Sequence, residues 1–495
     1  MKQRIDALEL ENRSLRESVS SLNVHESPAS GPELDAAGSE AETKSEFEPK
    51  LSELEAELLA TSDEQCLACE ESQKEDLAMS ASWHHGLELT TKDKDFRVHV
   101  GGRTQFDLGW FSAPDNVQDN INNPYRDGAD FRRGRLRVDG TMYGTMDWAV
   151  EYDFFNSVND SGSPHTVTGP TDLWWTFREV PWVGNVRVGS QKPAIGFEHL
   201  VSSRYLPFME RSYNQDSFYG GAFNGFQPGV SLFDNWGEDN LGTWNVGVFK
   251  PTNNAFGSNL GDDDWQVVSR VTRLLWYDCD GGRLLHVGGS VLAQNPMDDQ
   301  LTFRTRDAIR TGLSAEWPVP ASTGPIAGDD VQWINGELVG VNGPWTFQSE
   351  GLVSFMQDAS PIVGGVTQPS VGTVMYHGYY AQVLYYLTDD HDNYNKATGT
   401  FDRVIPNRNF FFRRGRVASG PGAWQIGVRY NYLDLNDNTL DGGILNNVTC
   451  GLNWYWNPNF KIQFNYMATH RDAALAGDLG DGWINGWGVR FAHDF

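Results

Sequence analysis

The sequence lacks any long hydrophobic run. None of its stretches approaches the roughly 20 consecutive apolar residues that a membrane-spanning helix requires, and the mean hydropathy of the 495 residues is −0.48. These absences exclude a helical membrane protein. They leave a transmembrane β-barrel open, because the strands of a barrel are apolar only at every second residue.

Basic residues are also scarce. The chain has 38 Lys and Arg against 66 Asp and Glu, which gives a formal net charge of −28. Proteins that bind nucleic acid need a positive surface for the phosphate backbone. A nucleic acid is therefore excluded as the partner.

Cysteine is nearly absent, with four residues in the chain. Cys66 and Cys69 form a CxxC pair, but no second pair and no following histidine accompany it. This excludes c-type haem attachment and favours an incidental or disulfide-forming pair over a zinc site. No other pattern indicates a catalytic residue, a metal site or a cofactor, so we do not expect an enzyme.

A secretory leader is not visible at the start of the numbering. Met1–Arg4 is followed by Asp, Glu and Asn rather than by an apolar segment. An exported protein needs such a segment. Either the numbering begins downstream of the true start, or the chain is not exported.

Aromatic residues are abundant, at 13% of the chain, and they alternate with polar ones. The pattern is clearest at the end, where Trp487, Val489, Phe491 and the terminal Phe495 lie on odd-numbered positions. A period of two is typical of a strand with one apolar face. A final aromatic residue is typical of the closing strand of an outer-membrane barrel, so we expect the barrel-assembly machinery to bind Phe495.

Alternation of this kind recurs in sixteen segments after Trp83. Because single-chain bacterial barrels have even strand numbers, a weaker segment at 302–307 is assigned to a loop. The prediction is an all-β fold, a 16-stranded antiparallel transmembrane β-barrel over 83–495. The segments are 98–110, 131–143, 146–154, 172–179, 185–191, 228–234, 243–249, 266–276, 283–292, 331–340, 344–355, 376–387, 422–433, 446–456, 460–468 and 484–495.

The connections between these segments differ in length. Short polar turns alternate with long connections at 111–130, 251–265 and 388–421, as periplasmic turns alternate with outer loops. The connection 192–227 is long and rich in Pro, Phe and Tyr. Loops of this length are often functional, and we expect this one to fold inward and narrow the wide pore of a sixteen-stranded barrel.

The N-terminal region differs from the rest of the chain in its composition and in its hydrophobic periodicity. Residues 1–22 carry apolar residues at heptad spacing, with Asn12 at one core position, which favours an α-helical coiled coil over an ordinary amphipathic helix. Residues 23–82 read as an acidic linker with a short helical stretch. A three-stranded coil in the periplasm would match a trimeric barrel.

Three arginines of segment 131–143 share one strand face. Arg133, Arg135 and Arg137 occupy alternate positions, and the apolar Leu136 lies on the other face. Arginine facing lipid at mid-depth costs about 2–4 kcal/mol, so the three side chains are predicted to point into the lumen. They are either donors for a small anion or partners of carboxylates on neighbouring strands.

Six stretches distributed along the barrel region resemble the phosphate-selective porin O and porin P family. The resemblance covers roughly 90–495. The stretches are Phe131–Leu136 (FRRGRL), Val188–Pro193 (VGSQKP), Ser202–Arg211 (SSRYLPFMER), Gly422–Tyr430 (GAWQIGVRY), Leu433–Asp437 (LDLND) and Gly451–Tyr455 (GLNWY).

The resemblance implies a trimeric sixteen-stranded outer-membrane channel whose third loop carries basic residues into the constriction. Lys192 and Arg204 would then lie at the narrow zone, faced by Arg103 and by Arg133. Arg211 is a weaker candidate, because the neighbouring Glu210 would bind it structurally.

The function expected from these observations is that of an outer-membrane porin. It would let small hydrophilic solutes, including anions such as phosphate, diffuse through a water-filled trimeric barrel in contact with outer-membrane lipid. Because the barrel region is net acidic, a general anion or small-solute channel fits equally well. The alternative is a soluble all-β protein that binds or hydrolyses carbohydrate.

Overall fold

The computed structural model describes residues 78–155, 169–219, 225–252, 259–260, 263–413, 416–417, 420–473 and 479–495. The predicted coil at 1–22 and nearly all of the predicted linker at 23–82 lie outside these residues. None of the helices in the described ranges is long and apolar enough to cross a membrane.

The described structure begins with a hairpin of two short strands, β1 (Met79–Trp83) and β2 (Leu87–Thr91), which leads into the wall of a barrel. Sixteen strands form the wall, and each overlaps one of the sixteen predicted segments. The wall strands are β3 (Arg97–Ser112), β4 (Gly128–Met142), β5 (Met146–Asp153), β6 (Gly169–Val180), β7 (Gly184–Gln191), β8 (Gln227–Trp236), β9 (Gly242–Phe249), β10 (Trp265–Asp278), β11 (Arg283–Asn295), β14 (Val331–Asn342), β15 (Trp345–Met356), β18 (Val374–Tyr386), β23 (Ala423–Asp437), β24 (Leu440–Asn457), β25 (Phe460–Asp472) and β26 (Gly482–Asp494).

The wall is antiparallel and closed. Each wall strand pairs with the next along the chain, and β26 pairs with β3 from Asn485–Ser112 to Asp494–Arg103. The prediction of a 16-stranded antiparallel β-barrel is confirmed. Closure leaves the sixteen wall strands without an unpaired long edge, which is how barrels avoid edge-to-edge aggregation.

The two faces of the wall follow the alternation of the sequence. On the closing strand Trp487 is 61% exposed, whereas Arg490 on the other face is fully buried. On β10 the exposed Val267 and Val271 alternate with the buried Arg270. The outward face is therefore apolar and the inward face polar, as a lipid-facing wall around a polar lumen requires.

The shorter elements lie in the connections. A separate four-stranded sheet includes β12 (Gln300–Thr305), which covers most of the segment 302–307. The assignment of that segment to a loop is therefore wrong, although β12 lies outside the barrel wall. The elements are α1 (Asp115–Gln118), α2 (Phe197–Leu200), a π-helical turn at Gln215–Tyr219, 3-10 turns at Glu238–Asn240, Cys279–Gly281, Met297–Asp299 and Ser314–Glu316, and the strands β12 (Gln300–Thr305), β13 (Ala321–Ala327), β16 (Ser360–Val363), β17 (Val366–Thr367), β19 (Tyr394–Asn395), β20 (Thr400–Phe401), β21 (Phe412–Arg413) and β22 (Arg416–Val417).

The long connection 387–422 lies at the opposite end of the barrel from the other long connections. It joins β18 to β23, and strand order places it beside the short turns 143–145 and 458–459. The grouping of 388–421 with the outer loops is therefore wrong, because a connection after an even-numbered wall strand returns to the short-turn end. We call 387–422 the lower segment.

Residues 392–399 of the lower segment fold into the lumen. The Asp392 carboxylate accepts hydrogen bonds from the hydroxyls of Thr346 and Tyr386, both at 2.7 Å. Further along, the carbonyl of Gly399 accepts from the Arg270 guanidinium at 3.0 Å. These contacts narrow the barrel from its short-turn end.

Candidate functional site

The described residues of the connection between β7 and β8 contact side chains of distant wall strands. We call residues 192–219 and 225–226 the constriction loop. At its start, the backbone N–H groups of Phe197 and Glu198 donate to the Glu350 carboxylate on β15 at 2.9 and 2.7 Å. Further on, the N–H of Met209 donates to the side chain of Asn465 on β25 at 2.8 Å. The loop is thus attached to well-separated parts of the wall.

Glu210 is the centre of a buried ionic cluster that attaches the loop. Its carboxylate accepts two hydrogen bonds from Arg132, at 2.8 and 2.9 Å, and one from Arg490 at 2.8 Å. Arg133 and Arg310 lie 3.7 and 3.9 Å from it. We call these five residues the Glu210 cluster.

A β-bulge brings Arg132 into this cluster. In the pairing of β3 with β4, Gln105 lies opposite Arg133 and Phe106 opposite Phe131, so Arg132 is an extra residue. Strict alternation assigns Arg132 to the lipid side. The bulge turns its side chain inward, which is a known effect of an inserted residue.

Between the constriction loop and strands β3 to β10 lies a cavity of about 350 Å³. Its described lining contains eight basic side chains and two acidic ones. We call it the basic cavity. The charged residues are Arg103, Arg135, Arg137, Arg187, Lys192, Arg204, Arg211 and Arg270, with Asp172 and Asp234.

Three of the predicted arginines in this cavity are paired with carboxylates of the wall. Arg103 contacts Glu151 at 2.6 Å, and it also donates to the Ser203 hydroxyl of the loop at 2.7 Å. Arg135 contacts Asp153 at 2.7 Å. Such cross-strand pairs brace the wall and leave fewer donors for a passing ion.

Arg137 is the third of these paired arginines. It lies between two carboxylates, with Asp139 at 2.9 Å and Asp172 at 2.8 Å. Its charge is therefore offset on two sides. Arg137 braces β4 against β6 and contributes less positive potential than an unpaired arginine at the same place.

Two predicted basic residues of the loop have no carboxylate within 4 Å in the described part of the chain. Lys192 donates to the carbonyl of His199 at 2.5 Å. Arg211 donates to the carbonyls of Glu198 and Val201 at 2.9 and 2.5 Å. The expectation that Glu210 binds Arg211 is wrong, because Glu210 belongs to the cluster around Arg132.

The remaining predicted residues lie at the edges of the cavity. The nearest carboxylate to Arg204 is that of Asp494, at 4.0 Å. Arg133 does not line the basic cavity. It is 1% exposed, belongs to the Glu210 cluster and donates a hydrogen bond to Gln105 at 2.8 Å. Arg133 therefore contacts the constriction loop through Glu210 and not through the basic cavity.

Arg187 is a cavity residue that the sequence reasoning missed. Its guanidinium carbon lies 4.0 Å from the Trp174 ring centre and 4.9 Å from that of Phe233, and no carboxylate of the described chain lies within 4 Å. The signal was present, because Arg187 alternates with Val186 and Val188 in segment 185–191. Arg270 on β10 was missed in the same way.

Burial changes the protonation equilibria of the loop. Burial, together with the charge of Arg211, holds the pKa of Lys192 well below its ordinary value. Burial, together with Lys192 and Arg211, lowers the pKa of His199 in the same way. A bound anion would offset the repulsion at Lys192 and favour its charged form.

Comparison with known proteins agrees with the geometry. The sequence model of the phosphate-selective porin O and P family matches residues 98–480. Porin O of Pseudomonas aeruginosa is 24% identical over 432 residues, which cover 81% of this chain and 89% of that protein. A protein of Caulobacter vibrioides is 24% identical over 425 residues, covering 84% of this chain and 77% of its own length.

Two solved porin structures also match. OmpF of Salmonella typhi, in complex with daunomycin, has a TM-score of 0.48 at 9% identity and covers 84% of this chain and 100% of its own. An anion-selective porin from Comamonas acidovorans has a TM-score of 0.46 at 11% identity, with 81% and 100% covered.

The family and the barrel are those of a channel, not of an enzyme, so the soluble carbohydrate-binding or hydrolysing alternative is wrong. The matched region includes fifteen of the sixteen wall strands in whole or nearly so, and the constriction loop. The chain belongs to the phosphate-selective porin O and P family and is an outer-membrane porin.

Proposed function

We propose that this porin passes small anions such as phosphate, and that the basic cavity is the narrow zone through which they move. The observation that carries the proposal is the lining of that cavity. Eight basic and two acidic side chains meet there, in a chain whose net charge is −28. Wall carboxylates offset Arg103, Arg135, Arg137 and Arg270. The excess positive charge at the cavity therefore comes from the other four basic side chains, Arg187, Lys192, Arg204 and Arg211.

The arrangement suits passage rather than tight capture. Arg187, Lys192 and Arg211 lack a carboxylate partner within 4 Å among the described residues, and Arg204 has one only at 4.0 Å. An anion can move between these cations. Several sites of moderate strength allow entry and release, which is what conduction requires.

The selectivity is tested in planar bilayers. Under a tenfold KCl gradient, we expect the reversal potential to have the sign of chloride permeation, and millimolar phosphate to reduce the chloride current. Arg187→Gln should shift the reversal potential toward cations, because it removes an unpaired charge. Asp172→Asn should shift it the other way.

Arg126→Gln is the matched control. Arg126 is an exposed loop arginine that lies 3.7 Å from Glu316, and it does not line the basic cavity. Its replacement should leave the reversal potential unchanged. A wild-type channel that carries current mainly by potassium, or an Arg187→Gln variant identical to Arg126→Gln, would contradict the anion assignment.

The assembly is part of the same proposal. We infer a homotrimer in the outer membrane, with residues 1–22 forming a three-stranded coil in the periplasm and 23–82 linking it to the barrel. The support is the heptad spacing around Asn12. A variant lacking 1–78 should form a trimer that dissociates at lower temperature, and an unchanged trimer would remove the assembly role.

We also infer that the barrel-assembly machinery binds the C-terminal strand through Phe495. Its aromatic side chain ends a strand with an apolar outer face. Removal of Phe495 should reduce the amount of barrel in the outer membrane. Phe154→Ala, which changes an exposed aromatic residue beyond the end of β5, is the control and should not.

A further inference from the structure

A second cavity lies on the other side of the constriction loop. It has a volume of about 170 Å³ and lies at the long-loop end, where β8 begins at Gln227 and β11 ends at Asn295. The residues that give it its character are the amides Gln227, Gln266, Gln294 and Gln300 and the aromatic residues Tyr219 and Trp333. We call it the amide cavity.

The chemistry of the amide cavity is opposite to that of the basic cavity. Among the described residues that line it, none is Asp, Glu, Lys or Arg. His199 is its one lining histidine in the described chain, and the lowered pKa of that side chain keeps the ring neutral. Among these lining residues an anion meets no charged partner to replace its hydration shell.

Three side chains that line the amide cavity carry polar atoms without a hydrogen-bond partner in the described structure. They are Nε2 of His199, Oε1 of Gln266 and Nε1 of Trp333. All three residues are at most 5% exposed. These atoms are themselves shielded from solvent. Because buried polar groups are normally satisfied, a rotation of these side chains toward the cavity would let a polar, uncharged ligand or water complete their hydrogen bonding.

The side-chain amides of the cavity are oriented by hydrogen bonds to one another and to the backbone. The Gln266 amide nitrogen donates to the Gln294 carbonyl oxygen at 3.4 Å. The Gln227 carbonyl oxygen accepts from the N–H of Thr252 at 3.1 Å. An amide carries both donors and acceptors, and a hydroxyl-rich solute needs both at once.

Aromatic rings supply an apolar surface beside these amides. Tyr219 and Trp333 have ring centres 6.5 Å apart and are tilted by 56°, and the His199 ring lies edge-on to Tyr219 at 4.9 Å. The C–H face of a sugar ring packs on such surfaces. The volume also fits, because an engineered cavity of about 150 Å³ holds a benzene ring.

The constriction loop is the partition between the two cavities. Along 192–195, Lys192 and Ala194 line the basic cavity, whereas Pro193 and Ile195 line the amide cavity. One short stretch of chain therefore separates a charged compartment from a neutral one.

We propose that the amide cavity binds an uncharged, hydroxyl-rich solute with one six-membered ring, a neutral monosaccharide, at the outer end of the channel. The site is separate from the anion pathway. Binding is weak, with a dissociation constant on the order of a few millimolar, as the small number of ligand atoms allows.

Saturation-transfer-difference NMR on the full-length protein in detergent tests the proposal, with D-glucose, D-galactose and D-xylose as probes. We expect at least one sugar to give a saturable signal. Gln266→Leu removes an acceptor and Trp333→Phe removes a donor. Each should weaken that binding by about fivefold to tenfold, and the phosphate block of the chloride current should not change.

Gln357→Leu is the matched control, since Gln357 is an exposed amide after β15 at the same end of the barrel. It should leave sugar binding unchanged. If Trp333→Phe fails to form a heat-modifiable barrel, Gln266→Leu still decides the matter. The proposal is overturned if no sugar binds at 100 mM, if neither cavity variant weakens binding, or if phosphate displaces the sugar competitively.

Discussion

Replacing Glu210 with glutamine tests whether the Glu210 cluster holds the constriction loop in the lumen. The variant keeps the size of the side chain and removes its charge. Three charge-assisted hydrogen bonds of 2.8 to 2.9 Å, from Arg132 and Arg490, then lose their acceptor charge. The contact between Arg490 and Asp107, at 2.6 Å, is not affected by the substitution.

The size of the effect follows from burial. Glu210 is 3% exposed, and removal of one partner from a buried ionic group costs about 3–5 kcal/mol. If this free energy acts on loop attachment, the population of the detached loop rises roughly 150-fold to 5000-fold. The barrel wall has its own closed hydrogen-bond ladder and should remain intact.

Hydrogen exchange of the loop amides measures this directly. The N–H of Met209, which donates to Asn465, should exchange faster in Glu210→Gln by the factor given above. Single-channel recordings should show a noisier open state, because a mobile loop modulates the narrow zone. Heat-modifiable migration on gels should persist.

Glu316→Gln is the control for this experiment. Glu316 is 56% exposed and contacts Arg126 at 3.7 Å, and an exposed pair of this kind contributes about 0–1 kcal/mol. Its loss should not change the exchange of Met209. If Glu210→Gln and Glu316→Gln give the same exchange rates, the cluster does not hold the loop and the reasoning fails.

Three further substitutions test other parts of the structure. Although burial raises it, the pKa of Asp216 is held below its ordinary value by Arg306 and Arg310, so its stabilisation is complete above about pH 4 and is lost as the pH falls through the lowered pKa. Asp216→Asn should therefore melt lower at pH 7 and show a smaller acid-induced drop, measured by thermal gel shift. Arg403→Gln loses the contact with Asp494, which should loosen the lower segment and raise single-channel conductance. Gly189 has φ +127°, and a Cβ would lie 2.2 Å from the Leu173 carbonyl, so Gly189→Ala should reduce the folded barrel in the membrane, whereas Gly336→Ala, with open space, should not.

The wall could be predicted from the sequence because its physics is local. A strand between lipid and water must alternate, and Trp487 to Phe495 show that alternation as clearly as the rest of the wall. The parity of the wall strands also determines the end at which the 387–422 connection lies. The strand count alone therefore predicts the end at which this connection lies, although the length of the connection suggested an outer loop.

The candidate site was only partly predictable because it depends on contacts between distant segments. Strict alternation assigns Arg132 to lipid, and only the bulge opposite Gln105 turns it inward. Glu210 stands beside Arg211 in sequence but contacts Arg132 and Arg490 in space. Nothing in the local sequence distinguishes an arginine that braces the wall, such as Arg137, from one such as Arg187 that has aromatic neighbours instead of a carboxylate.

The hairpin of β1 and β2 limits how the barrel can close. Two strands pair with the same edge of β3. Strand β2 pairs with Arg97–Val100, and β26 pairs with β3 from Arg103 onward. The backbone of Phe495 exchanges two hydrogen bonds with Gly102 between them. Because β2 precedes β3 in the chain and occupies the end of this edge, the last strand cannot slide further along it. The hairpin thereby sets the register in which β26 pairs with β3. That register determines the shear of the barrel and hence the width of the pore.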